Sequence, residues 1–467
     1  FPSASLGWRF SEENFWNDLR TVWNNAKVRL SYGELGNQQT SSYYNFVRSV
    51  TSHDFASFNF GTGTGSQKYT SLDAPISSDL TWETAKQWDL GLDLSFLNNR
   101  LTFTGDVYIR DTDNMLTDGL QLPGVYGADV PKMNIANLRT KGYELAFQWN
   151  DSFSLWGHPF TYNVGFQLSD YRSHITKFQS NGNKLLSTYY EGMRIGDIWG
   201  YRLEDRYFAS TEEAQEYAKN IDLSVIRGGL PSWEAGDVIF KDLNGDGKVN
   251  QGRDDMLKWQ GQFYVPGDAG YAEAEKHLTD ENPDTKAEKV PVNSLYNHGD
   301  REIIGNSLPS LMYGITAGFQ YLGIDFSVFF QGTGNHYWYP SGQNFSFWGP
   351  FAYEYLTFLP ADFYDKVWQP DNTDSYFPRP MGRGAWSKGP LQYENDKYLQ
   401  NIRYCRLKNV TVGYTLPAKW TRKARIEKVR VYFTGENLHY WSPLKKNTKY
   451  VDPDYRDNNR KNCYDKG

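Results

Sequence analysis

Hydrophobic and polar residues alternate along much of this chain. Between residues 86 and 111, Leu90, Leu92, Leu94 and Phe96 share one parity, and Asp89, Gly91, Asp93 and Ser95 the other. Asn98 and Asn99 offer a tight turn, after which Leu101, Phe103, Val107 and Ile109 alternate with Thr102, Thr104, Asp106 and Tyr108. Successive strand side chains point to opposite faces, so this stretch predicts a β-hairpin with one apolar and one wet surface. Arms of about ten residues have the length of a tilted strand that crosses a membrane.

The unit recurs. Ala4, Leu6, Trp8 and Phe10 predict a strand, with Ala26, Val28, Leu30 and Tyr32 as its partner. Tyr143, Leu145, Phe147 and Trp149 precede Phe160, Tyr162, Val164, Phe166 and Leu168. Tyr313, Ile315, Ala317, Phe319 and Tyr321 turn at Leu322-Gly323 into Ile324, Phe326, Val328 and Phe330. Val410, Val412, Tyr414 and Leu416 pair with Val429, Val431 and Phe433. The pattern predicts about ten strands in five hairpins, with short connections inside hairpins and long ones, above all 169–310 and 332–400, between them. Outer-membrane barrels have brief turns at one rim and long loops at the other. A sheet spanning a bilayer must close, because no water satisfies an open edge there. A soluble all-β assembly is the competing reading, but a β-helix or propeller would show a fixed repeat period and none is present.

The expected fold is therefore all-β: a transmembrane antiparallel β-barrel, part of a large barrel, over residues 1–467, with 169–310 as a long extracellular loop region. In that region only 210–220, with Glu212, Glu213 and Glu216, reads as a short surface helix.

Composition sharpens this picture. Aromatic residues make up 17% of the chain, yet mean hydropathy is −0.69, too polar for helical membrane spans. A barrel reconciles the two, since half its strand residues face water while Trp and Tyr gather at the interfaces. The most apolar window, 311–330, contains Gln320 and Asp325 and alternates strictly, so it is no spanning helix. A net charge of −6 without a basic stripe gives no reason to expect nucleic acid. Cys405 and Cys463 are too few for a disulfide scaffold and lack metal-ligand spacing. The chain opens at Phe1 inside a patterned strand without a signal peptide and ends in a polar tail, so both natural ends are expected to lie beyond it.

Several stretches resemble the SusC family of TonB-dependent outer-membrane transporters. They include the opening Phe1-Pro2-Ser3-Ala4-Ser5-Leu6-Gly7-Trp8-Arg9-Phe10, and Gln87-Trp88-Asp89-Leu90-Gly91 after Trp82-Glu83. Asn137-Leu138-Arg139-Thr140-Lys141-Gly142-Tyr143-Glu144, the run from Gly236 to Gly247, Ile304-Gly305-Asn306-Ser307-Leu308-Pro309, Arg406-Leu407-Lys408-Asn409-Val410 and Gly435-Glu436-Asn437-Leu438 follow in family order. The resemblance covers the later barrel and implies an outer-membrane importer of oligosaccharides, or alternatively of oligopeptides. It also implies a SusD-like surface lipoprotein as a hinged lid, and TonB acting through a plug domain that this sequence does not show.

Candidate chemistry is sparse. His336, Tyr337, Trp338, Tyr339, Phe345, Phe347, Trp348 and Phe351 concentrate aromatic surface in one loop. Sugar rings stack on such faces, so Tyr337, Trp338, Tyr339, Phe347 and Trp348 are candidate substrate contacts, with an interfacial girdle or a loop core as the alternatives. Asp89, Asp93, Asp106, Glu144, Asn163 and Gln167 share the wet parity and predict a hydrophilic path. Arg422, Lys423 and Arg425 read as a solvated periplasmic rim.

Asp242, Asn244 and Asp246 supply oxygens at positions one, three and five of an EF-hand-like loop, Gly247 the turn at six and Lys248 a carbonyl at seven, which predicts structural calcium. Arg253 at position twelve cannot ligate. The family pattern runs almost directly into Asp-Arg and Ile-Gly-Asn, which here are Asp300-Arg301 and Ile304-Gly305-Asn306. Residues 253–299 are therefore expected to be an insertion, with Asp300 returning as the closing carboxylate and Asp254 and Asp255 as local substitutes. The Gly61-Thr62-Gly63-Thr64-Gly65 run lacks the strand-then-helix context of a phosphate cradle and reads as a loop. No HExxH or GxSxG motif is present, so no enzyme is expected. The contrasting class is a soluble β-rich protein that binds or hydrolyses glycans.

Overall fold

The computed structural model describes residues 1–38, 47–55, 67–120, 122–228, 230–342, 344–352, 359, 361–382, 384–387 and 389–454. The Gly61 to Gly65 run and Cys463 lie outside them. Ten long strands form one sheet: β1 (Ser3–Trp8), β2 (Trp23–Asn37), β3 (Glu83–Phe96), β4 (Leu101–Asp118), β5 (Lys132–Leu155), β6 (His158–Phe178), β7 (Ser310–Tyr321), β8 (Ile324–Asn335), β9 (Tyr404–Thr415) and β10 (Arg430–Trp441). Each pairs antiparallel with its neighbour in sequence, so the sheet is an unbroken meander. Among the described residues β1 and β10 are paired on one side only.

Turn chemistry sets the short rim. Leu97, Asn98 and Asn99 between β3 and β4 all have positive φ. Trp156-Gly157 and Leu322-Gly323 have φ of 50° and 81°, and 49° and 85°. Two left-handed central residues twist a hairpin in the sense its strands already favour.

Register carries the sequence parity across the whole sheet. Leu30, Leu90, Val107 and Tyr143 lie opposite one another on successive strands, as do Phe103, Phe147, Phe166 and Ile315. Leu90 and Val107 are 48% and 55% exposed. A soluble protein would not leave so continuous an apolar face in water, and lipid is its natural solvent. Aromatic contacts flank the aliphatic middle. Toward the short turns, Trp23 packs on Trp16 and Phe96, Trp149 Nε1 donates to Tyr162 Oη at 3.0 Å, and Phe160 stacks on Phe319. Toward the long loops, Tyr32 meets Trp88 with ring centroids 4.6 Å apart. Such belts mark the two interfaces of a membrane barrel. Among the described residues no helix is long and apolar enough to cross a membrane.

The main buried core lies in the long loops. Tyr201, Tyr207, Phe208, Phe240, Trp348, Phe377 and Tyr398 are buried together. Two excursions, 179–309 and 336–403, build this layer jointly: Asp197–Tyr201 pairs with Arg301–Asn306, and Tyr201 N donates to the Glu394 carbonyl at 2.8 Å. The expected surface helix is α1 (Thr211–Asn220), capped by Ser210, whose side chain accepts from Glu213 N. The polar segment 33–85 holds a small hairpin of its own, Val50–Phe55 with Gln67–Leu72.

Candidate functional site: the wet face and the loop layer

On the second face of the sheet, the register lines up polar residues in rows. One row runs Arg29, Gly91, Asp106, Glu144, Ser169, Met312, Thr333, Tyr404. The next runs Lys27, Asp93, Thr104, Ala146, Gln167, Gly314, Gln331, Arg406. Arg29 binds Asp93 through Nε and Nη2, at 2.8 and 3.2 Å, and reaches Asp106 at 2.8 Å. Gly91 makes that reach possible, because a Cβ there would lie 2.5 Å from both Arg29 Cζ and Asp106 Oδ1. Glu144 is exposed, and among the described residues no Lys or Arg lies within ion-pair distance of it.

Both rows run under the loop layer into a cavity of about 940 Å³. Thr104, Asp106, Glu144, Gln167, Ser169 and Gln331 form its wall, while Ser307, Leu308, Pro309, His336 and Asp454 come from the loops above. Hydroxyls, amides and carboxylates thus share the wall with Leu145, Leu168, Leu308, Met312 and Phe329 around a volume large enough for a small oligomer. Of the residues expected on the path, Asp106, Glu144 and Gln167 line this cavity. Asp93 lies beside it, tied to Arg29, and Asn163 lies nearer the short-turn rim, opposite Gly318.

The aromatic loop residues sit elsewhere. Trp348 is 0% exposed, and its Nε1 donates to the Pro340 carbonyl at 2.9 Å. Phe347 and Phe351 are buried in the same core. The Tyr339 hydroxyl lies 2.9 Å from the Leu391 and Tyr393 carbonyls and accepts from Asn395 Nδ2 at 2.8 Å. Trp338 packs in a second small cluster with Ile402, Leu444 and Val451, and Tyr337 is half-buried on the short strand Tyr337–Trp338. In this conformation these rings hold the loop layer together, and among the described side chains of the run only His336 lines the cavity.

The Asp242 loop is closed by its own amides. Asp242 accepts from Gly245 N and Gly247 N at 2.7 and 2.8 Å, Asn244 from Asp246 N at 2.9 Å, and Asp246 from Lys248 N at 3.0 Å. Asp300, 0% exposed, returns to it: Oδ1 accepts from Leu243 N at 2.8 Å and Oδ2 from Asn250 N at 2.9 Å. The ends of 253–299 lie side by side, with Arg253 N donating to Asn297 Oδ1 at 2.8 Å and Asp300 N to the Asn250 carbonyl at 3.2 Å. Between them the chain folds back through Leu257–Trp259, Gln262–Tyr264 and Glu288–Lys289. Arg253 pairs with Asp255 at 2.9 Å and with Asp246 at 3.5 Å. Among the described residues no three Asp, Glu, His or Cys side chains gather as a metal-holding group. Burial, with the Asp242 charge nearby, pushes the Asp300 carboxyl up from the usual carboxylate range.

Comparison with known proteins places this geometry. Residues 1–233 match the family model described as TonB dependent receptor-like, beta-barrel. They belong to that family, and the chain is SusC-like. TonB-dependent receptor P3 of Formosa agariphila is 24% identical over 450 residues, which is 94% of this chain and 37% of that protein. TonB-dependent receptor SusC of Bacteroides thetaiotaomicron is 24% identical, over 95% of this chain and 37% of that one. Among solved structures, the RagAB peptide transporter superposes with a TM-score of 0.62 at 18% identity, over 97% of this chain and 40% of that chain. That likeness shows the fold. The chain thus spans about two fifths of the length of these proteins. This TonB-dependent receptor barrel lies in the outer membrane, its apolar face toward lipid and its polar rows toward the lumen.

The cavity itself was missing from the sequence reading. Its wall was legible as the wet parity of β4 to β8, but the loop residues over it carry no periodic signal.

Proposed function

We propose that this chain forms the lumen wall and extracellular loop layer of an active importer of oligosaccharides. In this reading a SusD-like lipoprotein closes over the loops, and TonB supplies energy through parts of the protein beyond this chain. The carrying observation is the pair of polar rows that cross the sheet into the cavity of about 940 Å³. Hydroxyl and amide groups there suit a ligand rich in hydroxyls. A second reading, oligopeptides, is favoured by Glu144, whose free carboxylate suits a peptide ammonium, and by the likeness to a peptide transporter. No catalytic step is proposed.

In cells expressing the protein with its natural remaining segments, uptake of a fluorescent oligosaccharide is expected to stop when a protonophore collapses the proton gradient. Gln167→Leu together with Gln331→Leu should lower uptake while surface levels stay normal. Uptake that survives the protonophore would contradict the importer, and uptake of labelled peptides in place of glycans would select the second reading.

We further infer that calcium binds the Asp242 loop, held by Asp242, Asn244, Asp246, the Lys248 carbonyl and Asp300. Support comes from the buried Asp300 carboxylate beside Asp242, which has no Lys or Arg within ion-pair distance among the described residues. Calcium would supply the missing positive charge and lock 253–299 at its base. Saturating calcium at about a hundred times its Kd is expected to stabilise the loop layer by about 2.7 kcal/mol. This should appear as slower proteolysis, lost in Asp242→Asn with Asp246→Asn. Equal protection with calcium and with chelator in the unmodified protein would rule the ion out.

A further inference from the structure

The connection between β9 and β10 stands apart from the others at its rim, including the similarly folded one between β1 and β2 with its helical turns at Phe10–Glu12 and Asn14–Leu19, in its one-sided charge. It is folded, with a short helical turn at Ala418–Thr421 followed by Arg422–Ala424. Thr415 N donates to the Gly323 carbonyl at 2.7 Å, which fixes it beside the β7–β8 turn, on the short-turn side of the lipid-facing band. It carries Lys419, Arg422, Lys423, Arg425 and Lys428, all exposed, against a single acid, Glu427. Among the described residues none of the five has a carboxylate within ion-pair distance, whereas Arg430, one strand residue further in, is clamped by Asp325. Trp420 and Ile426, 56% and 47% exposed, stand among these cations. They lie in the segment that joins Tyr414 to Val431, a cross-strand pair of exposed apolar residues at the end of the sheet.

We propose that this connection is a binding site for anionic phospholipid headgroups in the periplasmic leaflet. The reasoning combines three things: depth, charge and an apolar anchor. Interface residues at the edge of a lipid-facing band meet headgroups, and a phosphate there is offered five cations with no internal competitor. Trp is suited to that layer, its ring in the acyl boundary and its N–H in the headgroups. A merely solvated rim would need neither the exposed Trp and Ile nor so one-sided a charge. The two consecutive helical turns gather Lys419, Arg422 and Lys423 within one short segment, so that several cations can reach the same leaflet. The site rests on the outer-membrane placement of the sheet but not on the transported substrate.

The test uses the protein extracted from outer membranes in mild detergent, with its natural remaining segments, and dioleoyl phosphatidylglycerol as probe. Retention of this lipid is read by native mass spectrometry, and Trp quenching by its brominated form locates it. Quadruple replacement of Lys419, Arg422, Lys423 and Arg425 by Gln is expected to reduce retention at least about tenfold, given the pull of each basic residue on anionic lipid. Phosphatidylcholine should be retained weakly by both proteins, and raised salt should release phosphatidylglycerol from the unmodified one. Trp420→Phe should remove the quenching contributed at this site while keeping most retention. Heat-modifiable gel mobility shows separately that each variant's barrel is folded. Equal phosphatidylglycerol retention by folded wild-type and quadruple-variant protein would overturn the site. So would competition by inorganic phosphate as effective as by lipid, since the cations would then be a free-anion site.

Discussion

Leu92→Arg is expected to destabilise the assembled barrel by about 2–4 kcal/mol, the cost of a cation on the lipid face near mid-membrane. Leu92 lies opposite Val28 on β2 and Gly105 on β4, within the aliphatic middle of the band. Thr104→Arg, on the facing parity of β4, should cost far less, because its neighbours Asp93 and Asp106 are acidic and its surroundings wet. Asp93→Arg is a poorer control than parity alone suggests, since it would also break the Asp93–Arg29 pair. Heat-modifiable mobility of the two proteins in isolated outer membranes separates the outcomes. Equal folded fractions would mean that the two faces do not differ in solvent.

Trp348→Ala should cost about 3–5 kcal/mol, for loss of a fully buried Trp, but on the loop layer rather than the barrel. Trp348 is enclosed by Phe347, Phe377 and Tyr398, and its indole nitrogen is satisfied within the core. Because the two excursions share this core, loosening one should loosen the other. Limited proteolysis is expected to cut in both 179–309 and 336–403, while the heat-modifiable barrel remains. Unchanged protection in the variant would show that Trp348 is dispensable to the core, contrary to its burial.

The strands were legible because a membrane barrel imposes two solvents on every strand, and two solvents write a period of two. Leu90 to Phe96 and Phe103 to Ile109 could hardly be placed otherwise, and Asn98-Asn99 marked the turn through residues that tolerate positive φ. Strand lengths were less legible. β5 and β6 extend to Lys132 and Phe178, well above the Tyr143 and Leu168 ends of the alternation. Beyond the membrane both faces meet water or loops, so the alternation that marks a strand disappears. The hairpin of Val50–Phe55 and Gln67–Leu72 was invisible for the same reason.

The loop layer was the least legible part. Its core joins residues far apart in sequence, such as Tyr207 and Tyr398, whose hydroxyls lie 3.1 Å apart across 191 positions. No local period reports such contacts, and an aromatic-rich loop looks the same whether its rings face a ligand or one another. The structure brings Asp300 to the Asp242 loop, where its carboxylate accepts from Leu243 N and Asn250 N, and the order of the motif fragments pointed there on the expectation that the ends of 253–299 meet.

Cysteine accessibility along β4 tests the barrel most directly. Single cysteines at residues 102 to 108, in a background carrying Cys405→Ser and Cys463→Ser, would be treated with a membrane-impermeant maleimide in intact outer membranes. The expected result is a period of two, with Thr102, Thr104 and Asp106 positions labelled and Phe103, Gly105 and Val107 positions protected until detergent is added. Equal labelling of both parities before detergent would contradict a membrane-spanning sheet with one face in lipid.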